Sequence, residues 1–265
     1  MTIPVALTIA GSDSGGGAGI QADIKAMQAN GVFAASVITA ITAQNTVAVT
    51  DAMDLPISLI ASQLEAVLSD LPVAAIKTGM LSSSAIIECV AEYLERYPTI
   101  PLVVDPVMIS KSGFSLLQDQ AVEALMERML PLATVCTPNA HEAARLVGFS
   151  ILNESDAKKA AELILKMGPK GVLIKGGHLD EEEDALDVFF DGTTMHCFRT
   201  PRIETKNTHG TGCTYASTIA ANLACGMEVS EAVEEAKLYV TDAIRFGLEI
   251  GSGHGPTDHF FFLRS

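Results

Sequence analysis

Short apolar runs alternate along this chain with stretches of helical spacing, and nothing else in it limits the fold so strongly. Strand-like runs lie over residues 5–10, 32–41, 47–53, 73–77, 102–105, 134–137 and 171–175. The run over 32–41 is rich in β-branched and small residues and suggests a buried strand, whereas 47–53 alternates like a more exposed one. Helical periodicity lies over 19–30, ending at Gly31 as a natural residue after a C-cap, and over 56–70, 82–97, 119–129, 155–167, 211–225 and 230–249. A further helix opens after Pro138. Parallel strands need long crossovers, and these helices supply them. The pattern therefore predicts one α/β domain over 1–265, doubly wound, with a mostly parallel central sheet and helices on both faces. Residues 186–190 and 195–199 flank Asp191-Gly192, the signal of a hairpin, and this pair is expected as an antiparallel edge.

Composition narrows the partners. A net charge of −15 repels nucleic acid and anionic lipid, so neither is expected to bind. The hydrophobic share of 48% is enough for a large core, yet no uninterrupted apolar run reaches membrane-spanning length. The N-terminal segment lacks a basic region before its apolar run and suggests a first strand, not a signal peptide. Five cysteines, without a Cys-x-x-Cys pair, fit reduced thiols and a cytoplasmic location.

The segment Asn207-Thr208-His209-Gly210-Thr211-Gly212-Cys213-Thr214 precedes an apolar helix. Its glycines permit a tight turn, and the helix start leaves N–H groups unpaired at the positive end of the dipole. Such a turn makes an anion hole. Cys213 stands in its mouth, where the same field is expected to acidify the thiol and leave a partial thiolate at neutral pH.

Other candidates lie at predicted strand ends, where ligands bind in open α/β sheets. Residues 11–19 form a glycine-rich loop that matches neither a P-loop nor a dinucleotide fingerprint. It allows close backbone approach to a flat ligand, with Asp23 facing back from the helix after it. The Gln44 amide complements an amino-pyrimidine edge, although on its chemistry alone a polar turn between two strands accounts for it better. Asn139 and Glu142 form either a capping box or, for Glu142 together with Asp105, a hold on Mg²⁺ through water. Lys175 is a charge at the end of an apolar strand, where a nucleotide phosphate gives it a purpose. Of the six histidines, neither His178 nor His209 is given a catalytic role, and the others are expected as surface or capping residues. The acidic run 181–184 suggests a solvated tip.

Taken together, GSDSGGGAGIQAD (11–23), TAQNT (42–46), KTGML (77–81), DPVM (105–108), TPNAHEA (137–143), IKGGH (174–178) and NTHGTGCT (207–214) resemble the bacterial hydroxymethylpyrimidine/phosphomethylpyrimidine kinases of thiamine biosynthesis, within the ribokinase-like superfamily. The resemblance runs in one register from Gly11 to the HGP run at 254–256. It implies Mg²⁺-ATP as phosphoryl donor, a hydroxymethylpyrimidine and then its monophosphate as acceptors, and a homodimer. By position it implies that Gln44 reads the pyrimidine edge, with Gly11, Ala18, Asp23, Met80 and Val107 around the ring. Gly210, Gly212 and Cys213 would form the anion hole, with Cys213 as proton acceptor and Lys175 beside it. Asn139, Lys175 and Thr211 would face the nucleotide, and Asp105 and Glu142 the metal. The superfamily usually has Asp where Cys213 stands, which points to its vitamin-kinase branch. The loops over 108–113 and 179–185 are expected to cover the site. Two other readings are a pyridoxal/pyridoxine kinase, separable by relative activity on the two alcohols, and a non-catalytic pyrimidine-binding protein, which would be expected to lack Cys213 or the carboxylates.

Overall fold

The sheet runs in the order β3-β2-β1-β4-β5-β6-β7-β8-β9. The computed structural model describes residues 2–109, 116–177, 179 and 184–264. Among these residues the strands are β1 (Val5–Asp13), β2 (Phe33–Gln44), β3 (Val49–Asp54), β4 (Val73–Thr78), β5 (Leu102–Val104), β6 (Val135–Cys136), β7 (Val172–Gly176), β8 (Ala185–Phe190) and β9 (Met195–Thr200). From β2 through β7 neighbouring strands run parallel. The predicted hairpin β8–β9 forms one antiparallel edge, and β3, folded back on β2, forms the other.

The α-helices among the described residues cover the two faces: α1 (Gly19–Ala29), α2 (Ile57–Leu68), α3 (Ser84–Leu94), α4 (Asp119–Ala124), α5 (Ala140–Val147), α6 (Glu154–Leu165), α7 (Thr211–Ala224) and α8 (Val229–Arg245). Strand alternation assigns side chains to the layers. Val5, Leu7 and Ile9 pack with Ile60 and Leu64 of α2 and Ile86 of α3. On the other face Ala6, Ala75, Val103 and Leu173 pack with Tyr215, Ala216 and Ile219 of α7. The small side chains of Ala6 and Ala75 leave room for a helix buried without interruption from Thr214 to Leu223. That burial holds the start of α7 against the carboxyl ends of the strands.

Two strands differ from expectation. β1 and β2 run on to Asp13 and Gln44: past a register shift Ser12 and Asp13 pair in parallel with Ile41 and Thr42, and Ala43 and Gln44 pair antiparallel with β3. β2 is also less buried than its composition suggests, since Phe33 and Ile41 are exposed near the sheet edge. The strand order reverses between β1 and β4, and the crevice at such a reversal is where ligands bind in open sheets.

Candidate active site

A cavity of about 750 Å³ opens beyond the ends of β1, β4, β5 and β7. Of the residues expected at a site, Gly11, Ala18, Gln44, Met80, Asp105, Val107, Asn139, Glu142, Lys175, Gly210, Thr211, Gly212 and Cys213 all line it. The floor is tight: a methyl on Gly11 would stand 3.0 Å from the Met80 sulfur.

Gly210 caps α7 in a left-handed conformation, with φ of 80°. Only glycine fits, because a Cβ there would meet the Gly17 carbonyl oxygen at 1.8 Å. The first intrahelical bond runs from the Thr214 N–H to the Gly210 carbonyl, so the Gly212 and Cys213 amides lie in the unpaired first turn. Across from them a methyl on Gly212 would lie 3.3 Å from Lys175 Nζ and 3.8 Å from Asp105 Oδ2. Helix-end donors and an ammonium group therefore face one small space, an arrangement made for anionic oxygen.

Lys175 donates to Asp105 Oδ1 at 2.7 Å, and Thr137 Oγ1 donates to the same oxygen at 3.1 Å. Burial alone would lower the Lys175 pKa, but Asp105 and Glu142 hold it above that of an ordinary lysine. Asn139 and Glu142 form the capping box: Asn139 Oδ1 accepts from the Glu142 N–H at 2.9 Å, and Glu142 Oε2 accepts from the Asn139 N–H at 2.8 Å. The cap does not exclude the other use, since Glu142 also lines the cavity. Burial pushes the Glu142 pKa up to about 7, with Lys175 opposing the rise and Asp105 adding to it. Two carboxylates that repel each other at the mouth of an anion hole suit a cation that completes its shell with water and phosphate oxygen, as Mg²⁺ does. Among the described residues there is no cluster of three or more His, Cys, Asp or Glu side chains fit to hold a metal alone.

Asp23 is not on the cavity wall. Its carboxylate is fully buried and accepts from Lys77 Nζ at 2.8 and 2.9 Å, Thr8 Oγ1 at 2.6 Å and Ser217 Oγ at 2.7 Å. The side chain leaves α1 toward the sheet, where Lys77 claims both oxygens, so no acceptor is left for a ligand.

The expected acidic thiol is also corrected. Cys213 is pushed up to about 11, chiefly by burial and further by Asp23 and Asp105; Lys77 and the Gly19 N–H pull the other way without prevailing. The helix end is present, but desolvation outweighs it.

The family model for phosphomethylpyrimidine kinase matches residues 13–258. The chain belongs to the phosphomethylpyrimidine kinase family. A hydroxymethylpyrimidine/phosphomethylpyrimidine kinase of Streptomyces coelicolor is 50% identical, covering 99% of this chain and 97% of its own. The crystal structure of a phosphomethylpyrimidine kinase from Clostridium difficile is 48% identical, with a TM-score of 0.81 over 92% of this chain and 100% of that one. An ADP complex of a Bacillus subtilis pyridoxal kinase is 37% identical, with a TM-score of 0.93 over the whole of both chains.

In this phosphomethylpyrimidine kinase family member, sequence reasoning missed three site residues. Lys77 is fully buried beneath the cavity and bears on Cys213, yet it belongs to an apolar strand and its partner lies on a distant helix. Asp13 accepts from the Gly15, Gly17 and Ala18 N–H groups, fixing the glycine loop. His209 reaches Asp13 across the cavity wall, with its Nε2 2.9 Å from Asp13 Oδ2. The signal for the last pair was present: an acid two residues before a glycine run is a natural clamp for loop amides. Nothing local in the sequence announces that a histidine 196 positions away completes it. At the far wall Lys237 donates to Asp187 Oδ2 at 2.7 Å, joining α8 to β8. The expected cover loops over 108–113 and 179–185 lie partly, and His178 and the acidic residues 181–183 wholly, outside the described residues.

Proposed function

We propose that this kinase transfers the γ-phosphoryl group of ATP to the hydroxymethyl oxygen of 4-amino-5-hydroxymethyl-2-methylpyrimidine, and then to the phosphate of the product, giving the diphosphate used in thiamine biosynthesis. The observation that carries this is the Gly210–Cys213 anion hole opposite Lys175, sharing one cavity with Gln44, on a chain half identical to a kinase of that name.

Phosphoryl transfer needs in-line placement and neutralisation of charge on the moving group, with little covalent help. The Gly212 and Cys213 amides and Lys175 hold that charge at the carboxyl ends of the strands, where water is displaced by fixed dipoles. Gln44 reads the amino-pyrimidine edge, and Gly11, Ala18, Met80 and Val107 enclose the ring. Asn139 and Thr211 face the nucleotide. Asp105 and Glu142 would hold Mg²⁺, which supplies further neutralisation of the phosphates when bound. Cys213 takes the hydroxyl proton through the small thiolate fraction left to a thiol pushed up to about 11.

The protein acts as a cytoplasmic homodimer in this reading. Ile41 and Met53 are register partners on β2 and β3, and both are exposed, so a second copy has an apolar edge to cover. Sedimentation at micromolar concentration tests that point.

A second reading, phosphorylation of pyridoxal, draws on the likeness in fold to the Bacillus subtilis pyridoxal kinase. Parallel assays with ATP decide the matter. The hydroxymethylpyrimidine should be consumed in two steps with a higher kcat/KM than pyridoxal, and the reverse order would replace the first reading by the second.

A further inference from the structure

We propose that His209 is a positioning residue that sets the polarity of the Gln44 amide, and thereby which way round an aminopyrimidine can pair with it. The inference rests on the reading of Gln44 as the residue that meets the ring.

The chain of hydrogen bonds starts at Asp13. Its Oδ1 accepts from the Gly15 N–H at 2.8 Å, and its Oδ2 accepts from the Gly17 N–H at 3.0 Å and the Ala18 N–H at 2.8 Å. His209 Nε2 lies 2.9 Å from that same Oδ2. An ionised carboxylate can only accept. Despite burial, the His209 contact and the backbone donors keep Asp13 below its ordinary pKa, so it is ionised at neutral pH. The hydrogen between Asp13 and His209 therefore sits on Nε2. This holds for the neutral imidazole protonated at Nε2 and for the imidazolium alike.

Gln44 completes the chain. One end of its amide is 3.3 Å from His209 Nε2, and the other is 3.1 Å from Thr42 Oγ1. Nitrogen and oxygen of an amide are nearly alike in shape, so their neighbours decide which is which. Nitrogen beside His209 would set two donors against each other. Oxygen beside Thr42 would ask one hydroxyl hydrogen to serve two acceptors, because Thr42 Oγ1 also lies 3.0 Å from the Ser12 carbonyl oxygen. Exchanging the two ends resolves both conflicts. His209 Nε2–H is then shared between Asp13 and the Gln44 oxygen, the Gln44 NH₂ donates to Thr42, and Thr42 donates to Ser12. Two independent neighbours thus demand the same polarity.

The imidazole has no freedom to give way. A Cβ on Gly17 would stand 2.3 Å from its Cδ2, so the Cδ2 edge of the ring abuts the bare glycine loop. Gln44 is left with one acceptor lone pair on the His209 side and one N–H on the Thr42 side. An aminopyrimidine, with an exocyclic N–H donor beside a bare ring nitrogen, fits that edge in one direction. The corresponding oxo compound carries a carbonyl and a ring N–H in the same places, the reversed pattern, and meets like against like.

Two measurements test this in the intact enzyme. ¹⁵N NMR of the His209 ring should find the hydrogen on Nε2, and a bare Nε2 with the proton on Nδ1 overturns the proposal. The second compares kcat/KM for the amino substrate and its oxo analogue. His209→Leu removes the donor, and the preference for the amino compound should fall by about tenfold or more, mainly through KM for the pyrimidine, as expected for one unpaired buried group. His209→Gln returns an N–H at similar reach and should restore most of the preference. Equal loss in both variants, or no loss in His209→Leu with Nε2 protonated, overturns the positioning role. Binding of the pyrimidine to Gln44→Ala isolates the underlying assumption: undiminished affinity there removes the reading of Gln44 itself, whatever the state of the His209 ring.

Discussion

The Lys77 ammonium spans both carboxylate oxygens of Asp23, at 2.8 and 2.9 Å, and neither side chain has any exposed surface. The pair ties α1 to β4 directly beneath the cavity, with Thr8 and Ser217 completing the carboxylate's partners. Removing one charge leaves the other buried and alone. Asp23→Asn and Lys77→Met should each destabilise the fold by about 3–5 kcal/mol, and the double variant should recover a large part of that loss. Denaturant titration of the four proteins checks it. Burial works to lower the Lys77 pKa, but Asp23 more than reverses that and leaves it raised. The share of stability that comes from the raised Lys77 pKa is therefore whole at neutral pH and is lost in strong alkali.

Glu142 should make metal use depend on pH. Its folded pKa is raised from 4.5 to about 7, so below that point the carboxyl is protonated and offers no charge to a cation. The Mg²⁺ concentration for half-maximal rate should rise by about tenfold between pH 8 and pH 6, since proton and metal compete for one group. In Glu142→Gln the requirement should be higher and flat across that range. The same shift makes the folded chain bind the extra proton between pH 4.5 and about 7, so this group's share of stability is whole below that window and declines as pH rises through it.

Cys213 invites a test built on two acceptors. A neutral alcohol must lose a proton in the first transfer, whereas the phosphate oxygen that attacks in the second is already ionised, its second pKa being about 6. With the thiol at about 11, the first transfer should quicken with roughly unit slope in log kcat from pH 7 to 9, while the second stays flat. Cys213→Ala keeps the helix-end amides and should slow the first transfer roughly 10²-fold, at the low end for a general base, with a small effect on the second. Single-turnover rates with saturating ATP separate chemistry from product release. Equal losses on both acceptors would make the thiol a spacer.

Truncating Gln44 to Ala strips the pyrimidine edge of its partner and should weaken substrate binding by about 1–3 kcal/mol. Nucleotide affinity, measured separately by calorimetry, should hardly move. Intact pyrimidine binding would falsify the assignment.

What could be read from the sequence came from periodicity and local chemistry. Alternating strands and helices, the Asp191-Gly192 hairpin and the capping box at Asn139 and Glu142 all depend on residues close in the chain. The glycine turn and helix start of the proposed anion hole were legible for the same reason, because they lie within a few residues. Asp23 was misplaced since an acid beside a glycine loop looks available to a ligand, and its claim on Lys77 crosses 54 positions. The acidity of Cys213 failed in a related way: the local field is written in the motif, but the depth of burial is decided by strands elsewhere. Asp13 carried a local signal in the glycine run that follows it, whereas His209 had none, because its contact with Asp13 crosses 196 positions.

The Gly17–Gly210 contact has a meaning for descent as well as for geometry. Gly11, Ala18, Gln44, Met80 and Val107 all precede residue 108, whereas Asn139, Glu142, Lys175 and Thr211 all come after it, and the two backbones touch where Gly210 approaches the Gly17 carbonyl. In the proposed reading the acceptor is therefore handled mostly by one stretch of chain and the donor by another, with two exchanges across the divide: Asp105 of the first stretch serves the metal, and His209 of the second positions Gln44. Mutations that retune the ring can accumulate in the first stretch while the phosphoryl machinery is left undisturbed, provided the seam stays bare of side chains. A lineage built this way can change its vitamin without relearning how to use ATP.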